Sequence, residues 1–544
     1  MKKQILTTVA AMFLILGVSA QSQPQVKTND GILEGVNESG INIFRGVPFA
    51  APPVGDLRWK APQPVQKWSG VRKADEFGPN PMQENIYGDM QFGTKKISED
   101  CLYLNIWTPA KKMNEKLPVF IYFNGGGLLA GSGSEPRYAG FSLARRGIVA
   151  ITANYREGIF GFFAHPQLSK ETAYKGSGNY GFLDQAAAIK WVKENIVAFG
   201  GDPDKITIMG ESAGSMSVCA LMASPLSKNL INQVMASSGS VLGYGDVSAL
   251  AEAEKVGIEQ VKKMGYKNIS DLRALPADQL MKLAGLKNVP IYNIDGYFLT
   301  EQPSETYAKN EQAQVACLIG NNSAEMTPYF VLQNKPATIE NLKPAVENTF
   351  KISADKLLPM YGLNTDADIM KLPGYQLAGD MFIVYSTWKW TDELKRNSSK
   401  PVYRYQYCHP RPDMVMKDKE AGLAGGVQDK KDDTSAPKTP GAVHSADIEY
   451  QMGTLSTNTA FAWNADDYAV SDIFESYSAN FIKTGNPNGL GLPDWTPING
   501  KDVAPVMQID VKTYLKTDPQ MERRYQAIDE AVTAAKNATG KTKK

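Results

Sequence analysis

The 544-residue chain has few side chains that could cross-link it or hold a metal ion, with four cysteines and three histidines. Cys101, Cys219, Cys317 and Cys408 have no metal-ligand spacing, and such a low number does not indicate a disulfide framework. The few histidines also argue against a His-rich metal site. A net charge of +1 gives no electrostatic reason to expect nucleic acid as a partner, so a neutral or small substrate is favoured.

Long hydrophobic runs are also missing, so the sequence predicts no membrane-spanning helix. The longest apolar stretch, residues 5–18, follows Lys2 and Lys3 and is too short to span a bilayer. It ends in small residues up to Ala20, which is typical of a cleavable signal peptide. We therefore predict a signal peptide over residues 1–20, bacterial Sec export with cleavage after Ala20, and a periplasmic or secreted mature protein.

Between the two ends, apolar β-branched runs alternate with helical patterns. Leu117–Phe123 and residues 147–153 and 205–209 have the composition of buried strands. Residues 184–197 have apolar side chains at helical spacing. This alternation predicts an α/β protein with a large, mainly parallel sheet that has helices on both faces.

The chain shows no internal repeat, and residues 21–535 are predicted to form one domain. Residues 249–286 have the pattern of helices that could form part of a cap over a site. Residues 410–440 are rich in Lys, Asp, Gly and Pro and predict a long surface loop, either next to the active site or without a role. Residues 536–544 are predicted to be a basic, solvated tail.

Residues 210–214 read Gly-Glu-Ser-Ala-Gly, the pattern of a nucleophile elbow. Such an elbow holds its serine in a strained strand-to-helix turn, which needs small residues on either side. A strand-like run, residues 205–209, precedes the pattern, and a helix-compatible run, residues 215–222, follows it. This context favours Ser212 as a nucleophile over a serine in an ordinary glycine-bounded turn.

A second glycine-rich element follows the strand pattern of Leu117–Phe123 directly and reads Asn-Gly-Gly-Gly from Asn124. In α/β-hydrolases a loop at this place donates backbone N–H groups to the oxyanion of the reaction. We predict an oxyanion hole formed by the N–H groups of Gly126, Gly127 and Ala213. Taken alone, the glycines would also fit a flexible turn.

Several longer segments resemble the type B carboxylesterases, which include para-nitrobenzyl esterases, animal carboxylesterases and cholinesterases. The resemblance covers almost the whole mature chain and includes an opening segment, a SEDCLYLN signature, the region around the elbow and two motifs near the end. These segments are residues 44–71, 98–105, 178–215, 485–489 and 492–497. The resemblance implies the α/β-hydrolase fold and a serine esterase activity.

The resemblance also implies the partners of Ser212, which follow it in the order acid, then histidine. His444, in GAVHSADIEY, matches the family's catalytic histidine, whereas His409 ends a strand-like run and is predicted to be structural. Glu325, in CLIGNNSAEMTPYF, matches the family's acid, although Met326 stands where a glycine is usual. A solvated loop carboxylate remains the alternative for Glu325.

These residues predict an exported enzyme that hydrolyses short-chain or aryl carboxylic esters through an acyl-enzyme, without a metal or cofactor. Lipase or amidase action on the same residues is the alternative, and a non-catalytic, cholinesterase-like binding protein is a further one. The predicted partner is a small-molecule ester, and the oligomeric state is not readable. Glu211, beside the nucleophile, is predicted to be a buried supporting acid.

The chain departs from the family's pattern at three further places. Asn124 replaces the usual His at the start of the glycine-rich loop, so its side chain can support the loop but cannot titrate. Leu128 stands where the family often has a Phe or Trp, and this smaller side chain would widen the pocket. Pro81 stands where relatives have the cysteine that pairs with the equivalent of Cys101, so we expect that disulfide to be absent.

Overall fold

The structure is a computed structural model, and it describes most of the chain after the predicted signal peptide. That peptide lies outside the described residues, which are 23–243, 245–285, 291–333, 335–416, 418–424, 426–430 and 439–542. Within these ranges no helix has the length and apolar character needed to cross a membrane.

The strands range from two to eleven residues in length. They are β1 Gln25–Lys27, β2 Ile32–Glu34, β3 Val36–Glu38, β4 Ile41–Pro48, β5 Val71–Lys73, β6 Tyr103–Thr108, β7 Leu117–Phe123, β8 Val149–Ala153, β9 Gly201–Glu211, β10 Gln233–Ser237, β11 Ser248–Ala249, β12 Asn293–Ile294, β13 Ala316–Asn322, β14 Val402–Tyr407, β15 Lys419–Ala421, β16 Val427–Asp429, β17 Pro505–Ile509 and β18 Tyr514–Thr517.

The helices fill most of the connections between these strands. They are α1 Phe141–Arg145, α2 Gly158–Gly161, α3 Pro166–Glu171, α4 Tyr180–Asn195, α5 Ala213–Ala223, α6 Leu250–Lys263, α7 Ile269–Arg273, α8 Ala277–Ala284, α9 Pro303–Ala308, α10 Pro328–Leu332, α11 Ile339–Phe350, α12 Ala354–Tyr361, α13 Leu372–Gly379, α14 Tyr385–Asn397, α15 Ile448–Met452, α16 Ala465–Thr484 and α17 Pro519–Thr542. A π-helical segment, Asp380–Val384, joins α13 to α14.

Within the described residues, the main sheet has eleven strands in the order β18-β17-β14-β13-β10-β9-β7-β8-β6-β4-β3. The strands from β17 to β8 pair in parallel, whereas β18 at one edge and β6, β4 and β3 at the other pair antiparallel. This mixed sheet with helices on both faces is the α/β-hydrolase fold that the resemblance implies.

The sequence of β7 shows why this sheet is buried on both faces. Alternate side chains of a strand point to opposite faces. Val119, Ile121 and Phe123 pack in one hydrophobic core, and Phe120 and Tyr122 pack in the core on the other face. An uninterrupted apolar run is therefore needed at the centre of the sheet. The predicted strand Leu117–Phe123 is observed with these bounds.

Three further segments can be compared with what the sequence suggested. The helices α6, α7 and α8 form in residues 249–286, and none of the described residues in that range lines the cavity that opens onto Ser212, so a role as a cap stays a prediction. Part of the 410–440 loop forms a β-hairpin and does reach that cavity. The last helix continues through residues 536–542, where a tail was expected, and Lys536 pairs there with Asp246.

A buried ion pair ties the segment after β8 to α4. The guanidinium of Arg156 donates from Nε and Nη2 to the two carboxylate oxygens of Asp184, at 2.8 and 2.7 Å. The backbone N–H of Arg156 donates to the same carboxylate at 3.0 Å. Both side chains are almost fully buried. Since a buried charge without its partner is costly, this pair should hold the segment in place.

We expect Asp184→Ala to lower the free energy of unfolding by about 3–5 kcal/mol, because Arg156 would remain charged and buried without a partner. Urea denaturation followed by tryptophan fluorescence measures this. The matched control is Asp472→Ala, whose side chain is 75% exposed in its pair with Arg146 and should change stability by less than about 1 kcal/mol. Equal losses in the two variants would contradict the prediction.

Candidate active site

Ser212 lies at the sharp turn from β9 into α5, in a backbone conformation that side-chain-bearing residues rarely adopt. Its φ is 57° and its ψ is −123°. A Cβ on Gly210 would lie 2.2 Å from the carbonyl of Gly214, and a Cβ on Gly214 would lie 2.2 Å from the oxygen of Phe123. Both glycines are therefore required for the turn, which projects Ser212 from the carboxyl edge of the sheet.

His444 lies on the segment that follows β14 and faces the serine. Its Nε2 is 3.0 Å from Ser212 Oγ, a hydrogen-bond distance. Its ring is almost fully buried, and the Phe382 ring contacts it edge-on at 5.0 Å between centroids. The geometry is that of a hydroxyl and the base that would remove its proton.

Glu325 follows β13 and lies on the other side of the imidazole. Its Oε2 is 2.6 Å from His444 Nδ1. Its Oε1 accepts hydrogen bonds from the Ser238 hydroxyl and, at 2.6 Å, from the Asn322 backbone N–H. With both oxygens bonded, the carboxylate has one orientation, and the solvated-loop alternative is wrong because Glu325 is buried.

Glu211 brings a second carboxylate to His444, since its Oε1 is 3.3 Å from Nε2. The Ser445 hydroxyl donates to the same oxygen at 2.7 Å. Burial raises the pKa of Glu211 to about 7. Burial alone would lower the pKa of His444, but the Glu211 charge and the hydrogen bond with Glu325 outweigh it and raise the pKa to about 9. The site therefore favours the protonated imidazole.

The glycine-rich loop after β7 lies beside Ser212. Gly126 and Gly127 have positive φ values of 103° and 67°, and a Cβ on Gly126 would lie 1.7 Å from the Ala130 oxygen. Among the hydrogen bonds of the described residues, none uses the N–H of Gly126, Gly127 or Ala213. All three residues line the cavity at Ser212, so these N–H groups are available to an oxyanion.

Asn124 supports this loop from behind. Its side-chain amide donates to the Glu157 carboxyl at 2.9 Å and to the Gly125 oxygen at 3.0 Å. The hydroxyl of Tyr155 donates to the Asn124 carbonyl at 2.9 Å. Burial raises the pKa of Glu157 well above its usual range. Burial thus disfavours a charge on the acid that meets the non-titrating amide of Asn124.

A cavity of about 250 Å³ opens onto Ser212. Its walls are mainly apolar and aromatic; besides the residues already described they include Tyr87, Met90, Tyr138, Met216, Ser240, Ile383, Ser386, Leu423 and Ala424. Burial and the nearby Glu157 and Glu211 raise the pKa of Tyr87 to about 12, so its hydroxyl stays protonated at neutral pH. Leu128 is buried beside the glycine loop and is not among the lining residues, and the widening of the pocket stays a prediction.

The structure brings together all the residues predicted for the site, but sequence reasoning missed several others. Ser238 was not predicted, although the Ser-Ser-Gly run after β10 puts small polar residues at the same sheet edge as Ser212. Phe382 was missed because a π-helical segment carries it. Its position could not be read from a 3.6-residue period.

The other two histidines lie outside the site. The His165 ring accepts a hydrogen bond from the backbone of Gln167 at the start of α3. The His409 ring lies between the carboxylates of Asp467 and Asp510, at 2.9 and 3.0 Å. In the part of the chain that the structure describes, no three His, Cys, Asp or Glu side chains form a group suited to a metal ion.

Comparison with known proteins gives one consistent result. Residues 22–528 match the model of the Carboxylesterase family. The para-nitrobenzyl esterase of Bacillus subtilis is 30% identical over 92% of this chain and 97% of its own length. The Fumonisin B1 esterase of Sphingopyxis macrogoltabida is 40% identical over 63% of each chain. A solved carboxylesterase of Geobacillus stearothermophilus has a TM-score of 0.77 and 29% identity, over 92% of this chain and 99% of that one.

We expect Glu211→Gln to move the acid limb of the pH profile of ester hydrolysis to lower pH by about one unit. The Glu211 charge favours protonated His444, and removing it lets the neutral base form at lower pH. The limb is read from kcat/KM for p-nitrophenyl acetate between pH 5 and 10. Glu340→Gln, whose side chain is 86% exposed, is the control and should leave the limb unchanged. A shift to higher pH in Glu211→Gln would contradict the prediction.

Proposed function

Because the chain belongs to the carboxylesterase family and is a carboxylic ester hydrolase, we propose that Ser212, His444 and Glu325 are its catalytic triad. The observation that carries this proposal is the continuous chain of contacts from Ser212 Oγ through the imidazole to the carboxylate. The carboxylate selects the tautomer in which Nδ1 carries the proton and leaves Nε2 free to act as base.

In the first half of the proposed reaction, Ser212 Oγ attacks the ester carbonyl while His444 Nε2 takes its proton. The carbonyl oxygen becomes an oxyanion, and the N–H groups of Gly126, Gly127 and Ala213 bind it. The tetrahedral intermediate collapses when His444 returns the proton to the departing alcohol. The acid part of the ester then remains bound to Ser212 as an acyl-enzyme.

In the second half, water takes the place of the alcohol. His444 removes a proton from the water as it attacks the acyl carbonyl, and the same N–H groups bind the second oxyanion. The imidazole then gives the proton to Ser212 Oγ, which frees the carboxylic acid. Glu325 and Glu211 stabilise the imidazolium that forms in each half.

We further propose that the substrates are short-chain or aryl esters. A cavity of about 250 Å³ is at the small end for ligand sites, and a long acyl chain would extend beyond it. The rings of Tyr138 and Phe382 and the side chain of Met216 offer apolar contacts to an aryl or short alkyl group. This size argues against the lipase alternative.

We expect wild-type protein to hydrolyse p-nitrophenyl acetate and butyrate with higher kcat/KM than p-nitrophenyl palmitate. Ser212→Ala should lose about 10⁴–10⁶-fold in kcat, because the attacking oxygen is removed. Initial rates of p-nitrophenol release from the three p-nitrophenyl esters measure both, and the rates of acid release from methyl ferulate and of amine release from an anilide complete the panel. Ser399→Ala, an exposed serine, is the matched control and should keep wild-type rates.

Two results would contradict these proposals separately. Equal rates for wild type and Ser212→Ala would remove the assigned nucleophile and favour the non-catalytic alternative. A preference for palmitate or for the anilide in an active wild type would leave the triad in place and overturn the assignment to short or aryl esters.

We also propose that the mature protein is periplasmic or secreted in a bacterial host. The charged start with Lys2 and Lys3, the apolar residues 5–18 and the small residues up to Ala20 support export. Mass spectrometry of protein recovered from the periplasm or medium should find an N-terminus at Gln21. Deleting residues 2–20 should leave the protein in the cytoplasm, and export of this truncated chain would contradict the proposal.

A further inference from the structure

The hairpin formed by β15 and β16 is part of the wall of the catalytic cavity. Its strands pair from Lys419 with Asp429 to Ala421 with Val427. Leu423 and Ala424, near its tip, line the cavity that opens onto Ser212. The hairpin comes from the long 410–440 excursion, and the residues that hold it in place belong to a distant part of the chain.

Asp89 is the centre of that attachment. Its side chain is fully buried, and its Oδ2 accepts the Gly426 N–H at 2.9 Å. Its backbone oxygen accepts the Val427 N–H at 3.3 Å. A Cβ on Gly426 would lie 1.7 Å from the Asp89 oxygen, and a Cβ on Gly422 would lie 2.2 Å from Asp89 Cγ. The hairpin therefore fits closely around this one carboxylate.

A second contact fixes the tip beside the cavity. The buried guanidinium of Arg137 donates from Nη2 to the Ala424 oxygen at 2.7 Å, and it pairs with Glu135 at 2.6 Å. On the other side, Tyr87 and Met90 flank Asp89 in sequence and line the same cavity. The segment that carries Asp89 and the hairpin tip thus form one continuous wall.

We propose that Asp89 is a positioning residue that holds the β15–β16 hairpin against the cavity, so that Leu423 and Ala424 limit the size of the ester that reaches Ser212. This inference rests on the proposed esterase function and deepens it. Asp89 is not among the residues that line the cavity, and its effect on the substrate passes through the hairpin. Without the carboxylate, the hairpin would lose the acceptor of the Gly426 N–H, and the wall would open.

The test compares kcat/KM for p-nitrophenyl octanoate with that for p-nitrophenyl acetate, and for benzyl acetate with that for ethyl acetate. We expect Asp89→Ala to raise at least one of these two ratios by about tenfold, because space for larger groups becomes accessible. Asp89→Asn keeps an oxygen acceptor for the Gly426 N–H and should restore the wild-type ratios. Asp494→Ala, an exposed aspartate, is the matched control.

Gly426→Ala opens the same attachment from the hairpin side, since its Cβ would collide with the Asp89 oxygen. Gly426→Ala should raise the same kcat/KM ratio as Asp89→Ala. It replaces Asp89→Ala as the test if the aspartate variant does not fold. Leu423→Ala removes a side chain that lines the cavity but leaves the hairpin attached to Asp89. It should also raise that kcat/KM ratio. Unchanged ratios, within twofold of wild type, in folded Asp89→Ala and Gly426→Ala would overturn the role of Asp89.

Hydrogen exchange separates this proposal from the proposed function, because it needs no substrate. Amides in residues 419–424 and 426–430 should exchange faster in Asp89→Ala than in wild type or Asp89→Asn. Wild type without activity on any ester would contradict the proposed function, and slow exchange in Asp89→Ala would still contradict the attachment. If wild type is active but Asp89→Ala has the substrate ratios and the exchange rates of wild type, the proposed attachment is wrong and the proposed function stands.

Discussion

The backbone of Ser212 can take its strained conformation only where Gly210 and Gly214 have no Cβ. Gly214 then lies against the oxygen of Phe123, which brings the start of α5 into contact with the end of β7. The same close approach places the N–H of Ala213 beside the glycine loop that follows β7. The proposed nucleophile and the proposed oxyanion donors are thus positioned by one steric constraint, and the other parts of the site are arranged around them.

Electrostatics place a different demand on the structure. Three buried carboxyl groups, Glu211, Glu325 and Asp447, surround the single imidazole of His444. Burial raises the pKa of Asp447, and the Ser237 hydroxyl and the Asn322 amide bind its carboxyl oxygens. Such a cluster is costly to bury, because each charge loses its hydration. The carboxyl groups offset part of this cost by stabilising the imidazolium form of His444, whose pKa Glu211 and Glu325 raise.

The central strands and the elbow could be predicted because they depend on local rules, whereas Glu325 and His444 were identified only through the family resemblance. A buried parallel strand needs an apolar run, and the elbow needs small residues at fixed spacing. The cavity walls could not be predicted in this way. Asp89 and Gly426 are 337 residues apart, and no periodic pattern links them. The place of the helices in residues 249–286 could not be predicted for the same reason: a helical pattern does not tell where on the sheet the helices will pack.

The four cysteines are free thiols, and Cys101, Cys219 and Cys317 are buried. Cys101 lies beside β6 in the same hydrophobic core as the central strands. Burial raises the pKa of this thiol well above its usual value, so it has little tendency to form the reactive thiolate. Folding to this structure therefore includes no disulfide-forming step. Refolding needs neither an oxidant nor a disulfide isomerase. A reducing compartment would therefore remove no cross-link from this fold.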